Sequence, residues 1–89
     1  MIQMISYDLK RPGQDYTTLI KEIKSLGSSW CHALQSTWLV DTLKSAEQVR
    51  AALKGHMDTN DLILVVDITR DDYSGYLDQE IVDWLRTHM

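Results

Sequence analysis

The spacing of the apolar residues changes along this chain in a definite order, and that order constrains the fold more than any other feature. Residues 2–9 form a short apolar run, which is typical of a mostly buried strand, and the Pro-Gly pair at 12–13 ends it. Residues 16–26 then place apolar side chains three and four positions apart, as an amphipathic helix does. Asp15 is the expected N-cap of this helix, and Gly27 is its expected left-handed C-cap.

The middle of the chain predicts a hairpin and a second helix. Residues 30–34 and 37–42 have the composition of two short strands, and the two residues between them, 35–36, fit a tight turn. Ser45 precedes a second helical stripe, and Gln48 stands three residues further on, which is the spacing of a capping box. We therefore expect a pair of antiparallel strands followed by an N-capped helix.

Residues 61–69 form the clearest strand of the chain, and their unbroken Leu, Ile and Val stretch predicts burial on both faces. A last helix is predicted at about 77–88. This order indicates an α+β, ferredoxin-like βαββαβ sandwich, in which right-handed crossovers give an antiparallel sheet of order 4-1-3-2. We expect one domain over residues 1–89, with the sandwich in 1–69. The sheet face opposite the two crossover helices stays bare unless the last helix or a second subunit covers it.

Composition and charge narrow the range of functions. Nine Lys and Arg stand against thirteen Asp and Glu, and this net charge of −4 disfavours tight, non-specific nucleic-acid binding by a monomer. Lys10-Arg11 and the pair Lys21 and Lys24 are the local basic groups. The single cysteine and the lack of a long apolar run in the sequence predict a cytoplasmic protein without a membrane span.

Four short motifs occur together in this chain. In order they are Tyr7-Asp8-Leu9, Leu26-Gly27, Gln35-Ser36-Thr37-Trp38-Leu39-Val40 and Asp58-Thr59-Asn60-Asp61-Leu62-Ile63. By their order and spacing, the chain resembles the small CRISPR-associated ferredoxin-like proteins that partner the spacer integrase, and virulence-associated protein D. It is also similar to their short SinR-like bacterial and phage relatives. The resemblance covers roughly residues 1–69.

The resemblance implies a homodimer with a shared catalytic and metal site. In that superfamily, the aspartate that matches Asp8 is implicated in divalent-metal-dependent nuclease activity. Two paired sheets would bring both copies of Asp8 to one Mg²⁺, which keeps several waters and takes other ligands from phosphate of RNA or DNA. Ser6, Lys10 and Arg11 are then expected near the phosphate or around the metal. The implied function is that of an Mg²⁺-dependent endoribonuclease or another nucleic-acid-associated protein.

Strand alternation supports Asp8 as a candidate independently of the resemblance. It places Asp8 with Met4 and Ser6, on the side of the strand opposite Ile5 and Tyr7. If Ile5 and Tyr7 face the helices, Asp8 lies on the open face, where a partner subunit would meet it. The alternative interpretation is a strand-end aspartate that hydrogen-bonds the following turn.

Two other classes of function remain open. The acidic balance and the Pro-Gly turn at 12–13, where the integrase-associated members have further basic residues, argue against DNA binding and integrase partnership. A non-catalytic interaction module, such as a small regulator or inhibitor that binds another protein through its open sheet face, is the main alternative. Small-molecule sensing in a dimer groove is the third possibility.

Three further groups have a structural interpretation beside a functional one. Trp30, His32 and Trp38 are expected to share a face and to pack in a dimer interface, with base stacking as the alternative. Cys31 beside His32 does not form a nucleophile pair, because neighbours on a strand point to opposite faces; we expect a small buried hydrophobe. Residues 56–61 lack the Gly and distal Glu of an EF-hand, so helix termination explains them better than a metal loop.

Overall fold

The computed structural model describes residues 1–10 and 16–89. Within these residues the chain is α+β, and its elements follow the predicted order. They are β1 (Ile2–Asp8), α1 (Thr17–Ser25), β2 (Ser29–Leu34), β3 (Thr37–Asp41), α2 (Ala46–Lys54), β4 (Leu62–Asp67) and α3 (Gln79–His88). The predicted N-cap residue of α1, Asp15, lies outside the described residues.

The strands of the described residues form one open, antiparallel sheet in the order β2-β3-β1-β4. β1 is an inner strand, because it pairs with β3 on one side and with β4 on the other. Ile5, for example, lies opposite both Trp38 and Val65. Read from the β4 edge, the same neighbours are 4-1-3-2. β2 and β4 are therefore the two edge strands.

The first face of the sheet is covered by α1 and α2. The buried members of this core are Ile5, Leu19, Ile23, Leu26, Trp38, Val40, Val49 and Leu53. α1 contributes Leu19 and Ile23, and α2 contributes Val49 and Leu53, so each helix turns its predicted apolar stripe to the sheet. Burial of one such side chain stabilises the fold by about 1.5–3 kcal/mol. This face carries the larger of the two cores.

The second face is covered in part by α3. The buried residues of this smaller core are Ile2, Cys31, Leu39, Ile81 and Leu85. Trp84 fastens α3 to β2, since its Nε1–H donates a hydrogen bond to Ser29 Oγ at 2.9 Å. The Trp84 ring also stacks on His88, with the ring centroids 4.0 Å apart. The last helix thus covers the β2 half of this face, while no helix of the described residues covers the β4 half.

The start of α2 confirms the predicted capping box. Ser45 Oγ accepts a hydrogen bond from the Gln48 N–H at 3.1 Å, and Gln48 Oε1 accepts one from the Ser45 N–H at 2.9 Å. Two N–H groups at this helix start, which the helix cannot bond internally, are satisfied in this way. Such a cap stabilises a helix by about 1 kcal/mol.

The prediction that the fourth strand is buried on both faces is wrong. Leu62 is 58% exposed and Leu64 is 62% exposed, although both belong to an unbroken apolar run. β4 is an edge strand, and α3 packs near the opposite edge of the sheet, against β2. The second face of β4 therefore has no cover within the described residues.

The prediction that Gly27 is a left-handed C-cap is also wrong. The C-cap of α1 is Leu26, in the right-handed helical conformation with φ −69° and ψ −25°, and the φ of Gly27 does not lie in the left-handed region. Glycine is required at position 27 for a different reason, because a Cβ there would overlap the carbonyl oxygen of Asp41. The close approach of the α1–β2 link to the end of β3 therefore explains this glycine.

Candidate functional site

Asp8 is the last residue of β1, an inner strand, so the sheet fixes its backbone. It lies opposite Leu62 of β4, and Ser6 lies opposite Leu64. Cross-strand partners and alternate residues of a strand share one face, so these four side chains lie together on the second face. Ile5 points to the helices of the first face. The side chain of Asp8 is 63% exposed, and its position agrees with the alternation argument.

The polar residues predicted to assist Asp8 behave differently from one another. Lys10 Nζ lies 2.7 Å from Asp8 Oδ2, in an exposed pair that stabilises the fold by about 0–1 kcal/mol. Ser6 Oγ instead shares a hydrogen bond with Thr37 Oγ1 of β3 at 3.3 Å. Arg11 lies outside the described residues. Of the predicted assisting residues, the structure brings Lys10 to Asp8 and turns Ser6 toward β3.

The surface formed by Ser6, Asp8, Leu62 and Leu64 is named here the open strip. A shallow cleft of about 260 Å³ runs along it, lined by residues 6–8 and 62–64. The sequence does not mark the two leucines as exposed, because an unbroken apolar run has the same composition whether it lies in the middle of a sheet or at its edge. In the sheet of the described residues, β4 pairs with β1 on one side and has no strand on the other. This edge position leaves the side chains of Leu62 and Leu64 in solvent.

A metal ion would need more ligands than one copy of the site supplies. Within residues 1–10 and 16–89, no group of three or more His, Cys, Asp or Glu side chains is placed to hold a metal. Asp8 offers one carboxylate, and Lys10 already neutralises one of its oxygens. Mg²⁺ accepts as few as one or two protein carboxylates when phosphate and water complete its shell. The donors present therefore fit Mg²⁺ only if a second copy of Asp8 or a phosphate joins them.

Trp30, His32 and Trp38 lie together, but on the first face rather than beside Asp8. The His32 ring stacks on Trp38 with centroids 3.9 Å apart, and the Trp30 ring lies 5.4 Å from Trp38. Trp38 is buried in the core under α1 and α2, and its Nε1–H donates to the Tyr7 hydroxyl at 3.0 Å. Lys24 Nζ lies 4.7 Å above the centre of the Trp30 ring.

This placement corrects the expectation that the three rings form part of the open face. β2 directs Trp30 to the first face, because its register partner Val40 belongs to that core, and His32 stacks on Trp38 of the same core. Cys31, between them, points to the second face and joins the core under α3. The rings therefore pack against the molecule's own core and α1, and they are separated from Asp8 by the thickness of the sheet.

Asp61 is a buried carboxylate whose hydrogen bonds join three segments of the chain near Asp8. It is 4% exposed, and its oxygens accept hydrogen bonds from the Lys10 N–H at 2.7 Å, the Asp58 N–H at 2.8 Å and the Tyr16 hydroxyl at 3.0 Å. Burial by itself raises the pKa of Asp61, but these hydrogen bonds outweigh it, and the pKa lies below its ordinary value.

These contacts give residues 56–61 a structural role. Asp61 connects the segment after β1, the start of α1 and the link between α2 and β4. His56 Nε2 lies 3.8 Å from Glu22 Oε2 of α1, which adds a contact between α1 and the link that follows α2. Because both Asp61 oxygens already accept hydrogen bonds, helix termination and loop anchoring explain this segment, and the metal-loop alternative gains no support. Asp61 also fixes the backbone of Lys10, two residues after Asp8.

The interpretation of Cys31 as a buried hydrophobe is confirmed. The residue is 6% exposed and belongs to the core under α3. Burial raises the pKa of its thiol to about 11, while a backbone hydrogen bond with Leu39 acts in the opposite direction. A thiol with this pKa stays protonated near neutral pH, and the protonated form is a poor nucleophile.

Comparison of the chain with protein-family models, with curated proteins and with solved structures gave no match. The geometry of the open strip and the motifs quoted above are therefore the features that bear on function. In the part of the chain that the structure describes, no helix is long and apolar enough to cross a membrane.

Proposed function

We propose that this chain is a ferredoxin-like interaction module that forms a homodimer through the open strip. The observation that carries the proposal is the exposure of Leu62 and Leu64, two adjacent same-face residues of an edge strand. Neighbouring apolar side chains that remain in solvent on a sheet face are typical of an interface. The βαββαβ order of the first six elements supports the ferredoxin-like class.

The charges on the open strip favour a second copy of the chain as the partner. Asp8 and Lys10 are of opposite sign and lie at the same end of the strip. A two-fold interface presents the same surface twice, so Lys10 of one protomer faces Asp8 of the partner subunit while the leucines meet across the axis. A partner with a strong charge of one sign would leave either Asp8 or Lys10 beside a like charge.

The oligomeric state tests this proposal. Light scattering coupled to size exclusion, at a chain concentration of about 100 μM, is expected to give the mass of a dimer, because many weak homodimers have Kd values in or below that range. Leu64→Asp is expected to give a monomer, since it buries a charge against the partner's leucines. Circular dichroism establishes that the variant remains folded.

Leu43→Asp is the matched control. Leu43 is 93% exposed and lies in the link between β3 and α2, outside the open strip. It introduces the same chemical change, so the dimer should persist. A wild-type chain that is monomeric at this concentration would refute the proposal. Equal dissociation by Leu43→Asp and Leu64→Asp would also count against the open strip as the interface.

A second candidate function is that of an Mg²⁺-dependent nuclease acting on RNA. The position of Asp8 on the open strip favours it, because a dimer formed there would bring two Asp8 carboxylates toward one another. When bound, Mg²⁺ would polarise a phosphodiester and activate water. The residues of this chain would contribute the Asp8 carboxylate as a ligand and Lys10 as a phosphate contact. The same dimer therefore underlies both candidate functions.

Nuclease activity is tested with labelled single-stranded RNA in the presence of Mg²⁺ or Mn²⁺. If the proposal holds, the wild-type chain cleaves the RNA, and Asp8→Asn, which keeps the shape of the side chain but loses its charge, does not. Leu64→Asp should lose cleavage as well, because the two carboxylates no longer meet. Equal residual cleavage by the wild type and Asp8→Asn would rule out a role of Asp8 in the cleavage. Dimerisation without cleavage leaves the interaction module as the function.

A further inference from the structure

A second candidate surface lies at the other edge of the sheet, along β2. Since β2 is an edge strand, alternate N–H and C=O groups of residues 29–34 point away from β3 and meet no strand within residues 1–10 and 16–89. Two cavities of about 640 Å³ and about 370 Å³ lie beside this edge and share His32 as a lining residue. Their opposite wall is formed by residues 76–78, Glu80, Ile81 and Trp84. This surface is named here the β2 groove.

The wall opposite β2 belongs to an acidic segment of the chain. Residues 71–83 contain five Asp and Glu and neither Lys nor Arg, whereas residues 1–70 contain equal numbers of acidic and basic side chains. The net charge of −4 therefore resides in residues 71–89. Asp78 lines the larger cavity and Glu80 lines the smaller one, so the negative charge lies along the whole groove.

Asp78 and Glu80 are available to a ligand. Asp78 occupies the N-cap position of α3, where an aspartate usually accepts a hydrogen bond from a helix N–H, yet its side chain makes no such bond. Both side chains are exposed. Across the described residues, neither carboxylate lies within ion-pair distance of a Lys or Arg. Within the described residues, the charges of Asp78 and Glu80 are therefore not neutralised by a basic side chain.

Apolar side chains lie between these charges and the strand edge. Leu34 is 56% exposed and Tyr76 is completely exposed, and both line the larger cavity. A free strand edge flanked by apolar contacts and fixed negative charges is suited to a chain that supplies a backbone, apolar side chains and positive charge together.

We propose that the β2 groove binds an extended peptide segment that carries lysine or arginine at alternate positions. Its backbone adds to β2 as a further strand along Ser29–Cys31, where the β2–β3 register is regular before it shifts ahead of Leu34. Alternate side chains of an added strand point to one face, so the cationic ones reach Asp78 and Glu80 under the sheet. A nucleic acid is disfavoured here, since its phosphates would meet these carboxylates.

The test uses a fluorescein-labelled peptide of alternating Lys and Val, about eight residues long to match a typical strand. Fluorescence anisotropy measures its binding to the full chain, and an alternating Glu-Val peptide is the charge control. We expect the Lys-Val peptide to bind and the Glu-Val peptide not to bind. In ¹⁵N NMR spectra, the amide shifts should concentrate in residues 29–34 and 76–84.

Two comparisons distinguish specific peptide binding in the β2 groove from general charge attraction. The double substitution Asp78→Asn with Glu80→Gln is expected to weaken binding at least about tenfold, because two charge-assisted contacts are lost. Asp71→Asn with Asp72→Asn removes the same net charge from exposed residues outside the cavities and should change binding less than about twofold. A Lys-Val peptide N-methylated at alternate residues should also fail to bind, since it cannot complete the backbone ladder.

Several outcomes would overturn the inference. They are no binding of the Lys-Val peptide, equal weakening by the two double substitutions, and amide shifts that concentrate in β4. Full binding by the N-methylated peptide would likewise remove the added strand. The groove lies at the edge opposite the open strip, so the Leu64→Asp monomer should bind the peptide like the wild type. The inference and the proposed dimer can therefore fail separately.

Discussion

The two faces of the sheet differ in how completely helices cover them. On the first face, α1 and α2 bury eight residues around Ile5 and Trp38. On the second face, α3 buries five residues around Cys31 and leaves Leu62 and Leu64 in solvent. The first face therefore supplies most of the apolar stabilisation, while the second face combines a smaller core with surface that remains available for binding.

The polar side chains of Trp38 and Asp61 differ from that of Asp8 in the same way. On the first face, Trp38 donates its Nε1–H to Tyr7, and at the end of that layer Asp61 accepts a hydrogen bond from Tyr16. These groups are satisfied inside the molecule. On the second face, Asp8 pairs with Lys10, and both side chains are exposed. Polar groups that the fold satisfies contribute to stability, whereas exposed polar groups beside uncovered apolar surface are free to bind a partner.

The sharpest test of this difference compares one leucine from each core. Leu53→Ala on the first face is expected to destabilise the fold in the upper half of the range of about 2–5 kcal/mol, because its surroundings are fixed by two helices and the sheet. Leu85→Ala on α3 should fall in the lower half, since a terminal helix can shift to fill the space. Urea unfolding followed by circular dichroism measures both. Equal losses would mean that the two cores are equally rigid.

Gly27→Ala is expected to have the next largest effect. Its Cβ would overlap the Asp41 carbonyl, so the α1–β2 link must move away from β3, at a cost of at least about 1–3 kcal/mol. Gly55→Ala is the matched control, because a Cβ there meets no atom within 4 Å and the backbone is right-handed with φ −66°. The control should be neutral or stabilising by up to about 1 kcal/mol. Similar midpoints of thermal unfolding for the two variants would contradict the close approach.

Acid should weaken the attachment of the first-face helices through Asp61. The pKa of Asp61 is lower in the folded chain than its ordinary value of 3.8, so the folded state binds fewer protons. The stabilisation is therefore complete above the ordinary value and is lost as the pH falls through the lower folded value. Asp67, whose pKa is lowered by hydrogen bonds from Thr69, adds a loss of the same sign.

Urea unfolding between about pH 7 and about pH 2 measures this loss for the wild type and for Asp61→Asn. The variant should be less stable at neutral pH, because the amide cannot accept all the hydrogen bonds of the carboxylate. It should also lose less stability on acidification than the wild type. Parallel loss in the two proteins would show that Asp61 does not contribute to the acid response.

The smallest change in global stability is expected from loosening α3. Trp84→Phe removes the hydrogen bond to Ser29, at a cost of about 1 kcal/mol. Cys31 lies under α3, so its labelling by a thiol reagent at mildly alkaline pH reports local opening of the second face. Labelling should be slow in the folded wild type and faster in Trp84→Phe. Equal rates would mean that the thiol becomes accessible by another route.

The sequence predicted the fold well where the spacing of residues carries the information. The helix stripes at Leu19 and Ile23 and at Val49 and Leu53 face the sheet, as the periodicity required. The Ser45 capping box formed because a cap depends on residues three positions apart. Strand alternation predicts that Asp8 and Ile5 lie on opposite faces of the sheet, as they do in the structure. These features are local, and local geometry follows from the covalent chain.

The sequence did not predict features that depend on distant neighbours. The sequence predicts that Leu62 and Leu64 are buried, but both are exposed. The composition of a strand does not reveal whether the strand lies at an edge. Gly27 was assigned to a helix end, whereas Asp41, far along the chain, determines it. Residues 56–61, which include Asp61, are predicted only to terminate a helix. In the structure, the groups that donate hydrogen bonds to Asp61 come from three separate segments.

The sequence alone determined the order of strands and helices, the acidic character of residues 71–83 and the location of Asp8 at a strand end. The tertiary structure alone decided that α3 covers the β2 half of the second face and that the open strip lies over β1 and β4. The physical reason is the range of the interactions. Periodicity and capping act within a few residues, whereas edge position and cover depend on which segments, distant in sequence, pack together.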